Sequence, residues 1–303
     1  MGNGGPTGSL VICPTPIGNL RDVTQRSLEA LRSADVVCAE DTRVTGRLLA
    51  AYDIQKRLER LDEAAISKEA DRILEHVRSG QRVVFCSDAG MPGVSDPGCR
   101  LVRAAQDAGL PVEVLPGPSA GVTAYVASGF TNPCFYFGGF FPRKAQDRSR
   151  LLEGLKALDA VLVFYESPAR LVSSLQAAAE SLPEREVAVC RELTKLHEEV
   201  YRGPAAQVRD EFAARAQKEG VKGEVVLVID GPCAAEWDQE RAAALVAARE
   251  LAVRLRAGQA GEAAGAGEVD HAAGTPSSKD LAARLQEEFG ISRNDAYEIA
   301  LGR

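Results

Sequence analysis

Short apolar, β-branched runs alternate along the chain with longer amphipathic stretches, and the two periods predict an ordered series of strands and helices. The runs are Leu10–Cys13, Val36–Ala39, Val83–Cys86, Val112–Leu115, Cys134–Phe137, Val161–Tyr165, Val187–Cys190 and Val225–Ile229. Between most of them Leu or Ala recurs at three and four spacing, as in Arg26–Ala34 and Ile66–Arg78, the pattern of a helix with one buried face. Strands alternating with helices predict parallel sheets covered on both faces. Gly129-Phe-Thr-Asn-Pro133 interrupts the rhythm and separates two blocks of about a hundred residues each, an ordinary domain size. The reading is a flexible leader at 1–9, an N-terminal α/β domain at 10–129 and a C-terminal α/β domain at 130–232.

After Pro232 the pattern changes. Ala235–Arg256 is Ala-, Arg- and Glu-rich and helical in character, and Ala257–Ser278 is an Ala/Gly-rich stretch without Lys or Arg that reads as a linker, so 233–278 is a helical stretch plus linker. Periodicity returns in a two-helix module at 279–303. Leu281, Leu285 and Phe289 mark its first helix, Gly290 stops it, and Ser292-x-x-Asp295 forms a capping box for the second. The module is either a packing or dimerisation appendage or a helix-turn-helix-like RNA contact; its lack of net positive charge favours the former.

With 303 residues, 45% hydrophobic and 26% charged, the chain has the composition of a folded protein and not of a disordered one. Its net charge of -7 excludes a blanket polycation, so any nucleic-acid partner must meet a local basic patch. Seven cysteines without a C-x-x-C pair, and three histidines, predict neither a metal site nor a disulfide framework. Cys13, Cys38, Cys86 and Cys190 lie in apolar runs and read as small buried hydrophobes, suited to a reducing cytoplasm. Met1–Ser9 lacks the pattern of a signal peptide, and no apolar run approaches the roughly 20 residues of a membrane span. The expectation is a cytoplasmic protein with no membrane and no metal.

In parallel α/β sheets ligands bind beyond the carboxyl ends of the strands, so the loops after the strands are where chemistry is sought. Pro14-Thr-Pro-Ile-Gly-Asn-Leu-Arg-Asp22 is stiffened by its prolines and turned at Gly18, with Asp22 able to cap the next helix. Ala39-Glu-Asp-Thr-Arg43 reads either as the acidic first turn of a helix with a surface Arg, or as a proton acceptor beside an anion clamp. Asp88-Ala-Gly-Met-Pro-Gly93, with Glu113 further on, superficially matches a dinucleotide-binding fingerprint. Pro92 and Asp96-Pro97-Gly98 argue against it. Asp96 as N-cap and Pro97 as first helical residue leave an extended loop able to present backbone groups and Asp88 to a small molecule. In Pro116-Gly-Pro-Ser-Ala-Gly121, Ser119 is either a plain N-cap or, with Gly117 and Ala120, part of a wall that a ligand can approach closely.

At these residues the chain resembles the tetrapyrrole-methylase-like family of S-adenosylmethionine-dependent methyltransferases. Within it the match is to the ribosomal RNA small subunit methyltransferase I subfamily, which methylates a cytidine ribose 2′-hydroxyl in 16S ribosomal RNA. The motifs run in order over residues 9–231: Pro14–Leu20, Glu40-Asp-Thr-Arg43, Ser87–Gly98, Pro116–Ala120, Gly139-Phe-Phe-Pro142, Phe164-Tyr-Glu-Ser-Pro168, Arg191-Glu-Leu-Thr-Lys195 with Glu198-Glu199, and Gly223-Glu224. Lys279–Leu301 is similar to a helical extension of many members. Met91 and Gly93 depart from the residues expected there and leave the class untouched.

The resemblance implies two α/β domains of the tetrapyrrole methylase fold with S-adenosylmethionine in the cleft between them, and a homodimer. It implies cofactor contacts from Pro14, Asp88, Ala89, Gly90, Met91, Ser119, Ala120, Tyr165 and Leu193, and an acceptor strand entering near Asn19, Arg21, Glu40 and Arg43. Methyl transfer to oxygen is an in-line displacement, and a ribose hydroxyl needs help losing its proton, which makes Glu40 and Asp41 the candidate general base. Arg21, Arg43, Arg143, Lys144, Arg148 and Lys195 are the candidate phosphate contacts. Plainer roles exist in the second block: Phe164 and Tyr165 as core aromatics, Glu166 as a partner of Arg170 one turn later, His197 as a surface residue. Two rival functions are a methylase of small tetrapyrroles, disfavoured by the Glu40–Arg43 and Arg191–Lys195 sets, and a non-catalytic RNA-binding assembly factor.

Overall fold

Strand β1 (Ser9–Cys13) sends Leu10 and Ile12 to one face of a sheet and Val11 and Cys13 to the other, and all four are buried. That two-residue alternation, apolar on both sides, is what a doubly covered parallel strand requires. In the computed structural model of the chain, residues 8–61, 63–96, 98–233, 243–255 and 277–302 are described. They form two compact units, Met1–Gly231 and Pro232–Arg303.

The first sheet is wholly parallel, in the order β3-β2-β4-β1-β5, with β2 at Val36–Ala39, β3 at Leu58–Arg60, β4 at Arg82–Cys86 and β5 at Val112–Val114. Helices α1 (Gln25–Ser33) and α2 (Thr42–Ala51) bury Leu31, Leu48 and Leu49 on one face. Helices α3 (Glu63–Arg78) and α4 (Gly98–Asp107) bury Ile73, Leu74 and Leu101 on the other. After β1 the chain turns to the first face and after neighbouring β4 to the second, which opens a crevice between their carboxyl ends. Thr24, and not Asp22, caps α1; Asp22 closes a short 3-10 turn that Asn19 begins.

The second sheet, β6 (Phe135–Phe140), β7 (Val161–Glu166), β8 (Glu186–Arg191), β9 (Glu199–Pro204) and β10 (Val225–Ile229), has the order β6-β7-β10-β8-β9. Only β6 and β7 are parallel; β10 runs against β7 and β8, and β9 against β8. The expectation of two parallel sheets is corrected here. Residues 192–198 are too few for the crossover of about a dozen residues that parallel neighbours need, and an apolar run carries no sign of its direction. The edge strands β3 and β9 escape the apolar pattern because both are charged and partly exposed, as edges tend to be.

Helices α6 (Ala145–Leu155), α7 (Pro168–Ser181) and α8 (Ala205–Lys218) bury Leu152, Leu175 and Phe212 against one face of the second sheet. Helix α5 (Ala120–Ser128) packs Ala124 on the opposite, inner face, together with Ile17 from the loop after β1. By packing, α5 goes with the second sheet, although the punctuation at Gly129–Pro133 groups it with the first.

In the C-terminal unit a helix over 243–255, α9, joins α10 (Ser278–Phe289) and α11 (Arg293–Leu301) in one cluster built on Ala248, Ala252, Leu285 and Ile299. The two-helix module is thus a three-helix one. Ser277 and Ser292 cap α10 and α11, the latter through the Ser292–Asp295 box. Of the leader read as 1–9, residues 1–7 lie outside the described residues and Ser9 belongs to β1; of the linker read as 257–278, residues 257–276 lie outside them and Ser277 and Ser278 cap and open α10. No helix among the described residues is long and apolar enough to cross a membrane.

Candidate functional site

The loops after β1 and β4 are zipped together at the crevice. Thr15 and Gly90 exchange backbone hydrogen bonds at 3.0 Å each way, and the Thr15 hydroxyl donates to the Ser87 carbonyl at 3.1 Å. The first loop then crosses to the second sheet, where a Cβ on Gly18 would stand 2.9 Å from the Leu193 carbonyl and 2.5 Å from Lys195 Cγ. The absent side chain lets the two loops touch. Gly18→Ala is therefore expected to wedge them apart and weaken binding in the cleft at least tenfold, measured by calorimetry, without unfolding either sheet.

Between crevice and second sheet lies a cavity of about 400 Å³. Ile17, Ala89–Met91, Val94, Ser119 and Ala120 supply its first-sheet side; Phe140, Tyr165–Pro168, Cys190, Leu193 and Gly223–Val226 supply the rest. Its size and its apolar wall with few polar groups are those of a site for a nucleoside-sized ligand, for which roughly 300–1,000 Å³ is usual. Ser119 occupies the N-cap position of α5 without making a side-chain cap bond, which leaves its hydroxyl for a ligand. Burial raises the Tyr165 hydroxyl above its ordinary value, against a hydrogen bond with the Gly121 backbone, so it stays a donor. Burial, reinforced by Glu198, pushes the Cys190 thiol up to about 12. A protonated thiol in the wall is a poor nucleophile and does not compete with an acceptor.

Two carboxylates brace the second-sheet side. Glu166 is fully buried and pairs with Arg170 at 2.6 Å, while accepting from the Ser167 backbone at 2.6 Å and the Ser174 hydroxyl at 2.5 Å. It fixes the start of α7, whose Ser167 and Pro168 line the cavity. Glu192, at φ +51°, accepts from the Glu224 backbone and from Lys195 Nζ, both at 2.8 Å. Lys195 holds Glu224 as well, at 3.1 Å. Those bonds from Lys195 and the Glu224 amide lower Glu192; burial alone would pull Lys195 down, but its two carboxylates outweigh it and the net shift is upward.

At the rim the loops after β2 and β4 interlock. Asp88 accepts from the Asp41 amide at 2.8 Å, and the Asp88 amide donates to Glu40 at 3.1 Å. Asp41 caps α2 by accepting from the Arg43 amide at 2.8 Å, and the Arg43 guanidinium grips the same carboxylate at 2.5–3.2 Å. The Arg43 side chain thereby holds Asp41 far below the usual carboxylate range.

A model of the tetrapyrrole (corrin/porphyrin) methylases matches residues 9–209. The ribosomal RNA small subunit methyltransferase I of Thermotoga maritima is 44% identical over 224 residues, 74% of this chain and 99% of that protein. The protein of the same name from Pasteurella multocida is 39% identical over 296 residues, 97% of each chain. The chain belongs to the tetrapyrrole methylase family, in its ribosomal RNA small subunit methyltransferase I group. Among solved folds, uroporphyrin-III C-methyltransferase from Thermus thermophilus complexed with S-adenosylhomocysteine is similar at a TM-score of 0.52 and 18% identity, over 74% of this chain and 97% of that one.

Against this methylase fold the residues read from sequence divide. Ala89, Gly90, Met91, Ser119, Ala120, Tyr165 and Leu193 all line the one cavity. Pro14 and Asp88 do not: Pro14 is buried against Gly117, and Asp88 is an exposed rim residue with one oxygen on the Asp41 amide. Asp41 is unsuited to act as a base because its oxygens serve the cap and Arg43. Arg148 is buried and donates to the Pro142 and Arg143 carbonyls, holding the turn before α6 and offering nothing to a phosphate. Lys195 is likewise engaged by Glu192 and Glu224. Asn19 caps the turn after β1, whereas Arg21, Arg43, Arg143 and Lys144 are exposed. Glu113 pairs with Arg26 and Arg82 and takes no part in the cavity, which agrees with the rejection of a dinucleotide fingerprint. Unforeseen in the wall are Cys190 and Val225–Val226, while Ile17, Val94, Phe140, Glu166–Pro168 and Gly223-Glu224 stand in the sequence analysis only as parts of motifs.

Proposed function

We propose that the chain is an S-adenosylmethionine-dependent methyltransferase acting on a cytidine ribose 2′-hydroxyl of 16S ribosomal RNA. The observation that carries this is the convergence of seven residues selected from the sequence on one cofactor-sized cavity in a chain whose relatives are named ribosomal RNA small subunit methyltransferase I. The donor set fits the cofactor: an uncommitted Ser119 hydroxyl, the Tyr165 hydroxyl and loop backbone for its polar groups, with Ile17, Val94 and Leu193 for its apolar surface. S-adenosylmethionine, when bound, supplies an electrophilic methyl group. The chain's part is to hold the acceptor oxygen in line and to take its proton, and Glu40, the rim carboxylate that accepts from the Asp88 amide, is assigned that role.

Exposed Arg21, Arg143 and Lys144 are the cations that an acidic protein offers to phosphates here, while Arg43, although exposed, is held by Asp41 as Lys195 is held by its two carboxylates. Arg143→Ala or Lys144→Ala is expected to reduce the slope of log K against log salt by about 0.7–0.9 in RNA titrations, while Lys195→Ala and Arg254→Ala leave it unchanged. An equal drop for Arg254→Ala contradicts the cleft as the RNA site.

The chain acts as a homodimer in the cytoplasm. The support for the dimer is the outer face of α5, where Val122 and Val126 are 48% and 70% exposed on an almost wholly apolar helix. Sedimentation should give a dimer that Val126→Asp converts to monomer; a monomeric wild type contradicts it. The acceptor class is tested by offering purified chain and labelled S-adenosylmethionine both small ribosomal subunits and a porphyrinogen. Label in the RNA alone supports the reading, and label in the tetrapyrrole alone overturns it.

A further inference from the structure

The aromatic at the mouth of the cavity, Phe140, is far more exposed than a packing role requires. Strand β6 pairs Phe137 with Val163 and then Phe140 with Tyr165, so one extra residue is inserted on the β6 side. The bulge is made by Gly138, whose Cβ would overlap Phe164, and Gly139, at φ +66°. Bulges re-aim side chains and recur beside active sites. Its effect here is to turn Phe141 into the core, where its ring packs tilted against Phe164 with centroids 4.7 Å apart, and Phe140 out of it. Phe140 lines the cavity yet stays 62% exposed. Its ring is held by an edge contact to Tyr165, 5.6 Å between centroids at 71°, which leaves a face open. Across the mouth, a Cβ on Gly139 would meet Ser95 Oγ at 3.3 Å, so the bulge abuts the loop after β4.

Three residues further along are two cations. Arg143 and Lys144 are exposed, and neither forms an ion pair among the described residues. A rigid, open aromatic face beside unpaired cations is the pattern by which proteins bind unstacked nucleotides, with the base on the ring and its phosphate on the cation. The cavity behind the ring is already of a size for the methyl donor, so the exposed face looks to the acceptor side.

We propose that Phe140 is the platform on which a nucleobase of the acceptor RNA stacks, at the acceptor nucleotide or its neighbour, to bring the ribose hydroxyl to the cavity. The inference rests on RNA being the substrate. Stacking releases no counterions and any base has a π-face, so Phe140 sets affinity and position without altering salt dependence.

The test compares wild type, Phe140→Leu and Phe140→Trp on small ribosomal subunits lacking the modification, with S-adenosylmethionine affinity measured separately by calorimetry. Phe140→Leu is expected to raise KM for subunits about tenfold or more. It should change kcat and cofactor affinity less than threefold and leave the salt slope of RNA binding as in wild type. Phe140→Trp should restore KM. Should both variants match an active wild type, the stacking role is overturned alone. Should Phe140→Leu weaken cofactor binding as much as subunit binding, the ring belongs to the donor site and the proposal fails. A wild type that methylates no subunits instead overturns the RNA reading beneath it.

Discussion

Glu166→Ala is expected to destabilise the α/β body by about 3 kcal/mol, among the largest losses available to a single substitution, because it strands the partner of a buried ion pair. Glu166 has no exposed side-chain surface and Arg170 only 24%, so water cannot replace the lost carboxylate well. The Ser174 hydroxyl and the Ser167 amide lose their acceptor in the same step. Because Ser167 and Pro168 line the cavity, cofactor affinity should fall with stability. Glu166→Gln keeps the shape and part of the bonding and should lose much less. Urea unfolding of the two variants measures this; equal midpoints for Glu166→Ala and wild type contradict the bracing role.

Glu40→Gln carries the largest expected effect on catalysis. Removing a general base from an oxygen acceptor lowers turnover by about 10²–10⁴. Glutamine still accepts from the Asp88 amide, so loop geometry, cofactor affinity and RNA affinity should stay near wild type. Asp41→Asn is the control: Asn is as good an N-cap, and methyl transfer should persist at a rate within about tenfold of wild type. Single-turnover rates at saturating cofactor separate the two. Loss in Asp41→Asn with retention in Glu40→Gln reverses the assignment.

Most of the fold was legible in the sequence because eight of the strands are apolar runs, and in six of them, β1, β2, β4, β7, β8 and β10, the residues alternate between two buried faces, as β7 does with Leu162 and Phe164 against Val161 and Val163. Strand direction was not legible, since antiparallel β10 is as uniformly apolar as parallel β1. The cofactor wall was legible where Gly, Pro and Ser gather after first-sheet strands. It was less so where ordinary apolar residues such as Cys190 and Val226 complete it, which only the closing of the second sheet brings to the cavity. Charged residues were the hardest to read. Arg148 and Lys195 look like Arg143 and Lys144 on paper, yet each of the first two is held by partners near or far in sequence. Side-chain availability is a property of packing, and one-letter chemistry does not carry it.

The most direct measurement maps ribose methylation across 16S ribosomal RNA from cells with and without this chain, and again after unmodified small subunits are treated with purified chain and S-adenosylmethionine. The account predicts one cytidine whose 2′-O-methyl group is lost with the gene and regained on treatment, with no regain from the Glu40→Gln variant. An unchanged ribose map, or a methyl group that appears on a base in place of the 2′-oxygen, contradicts it.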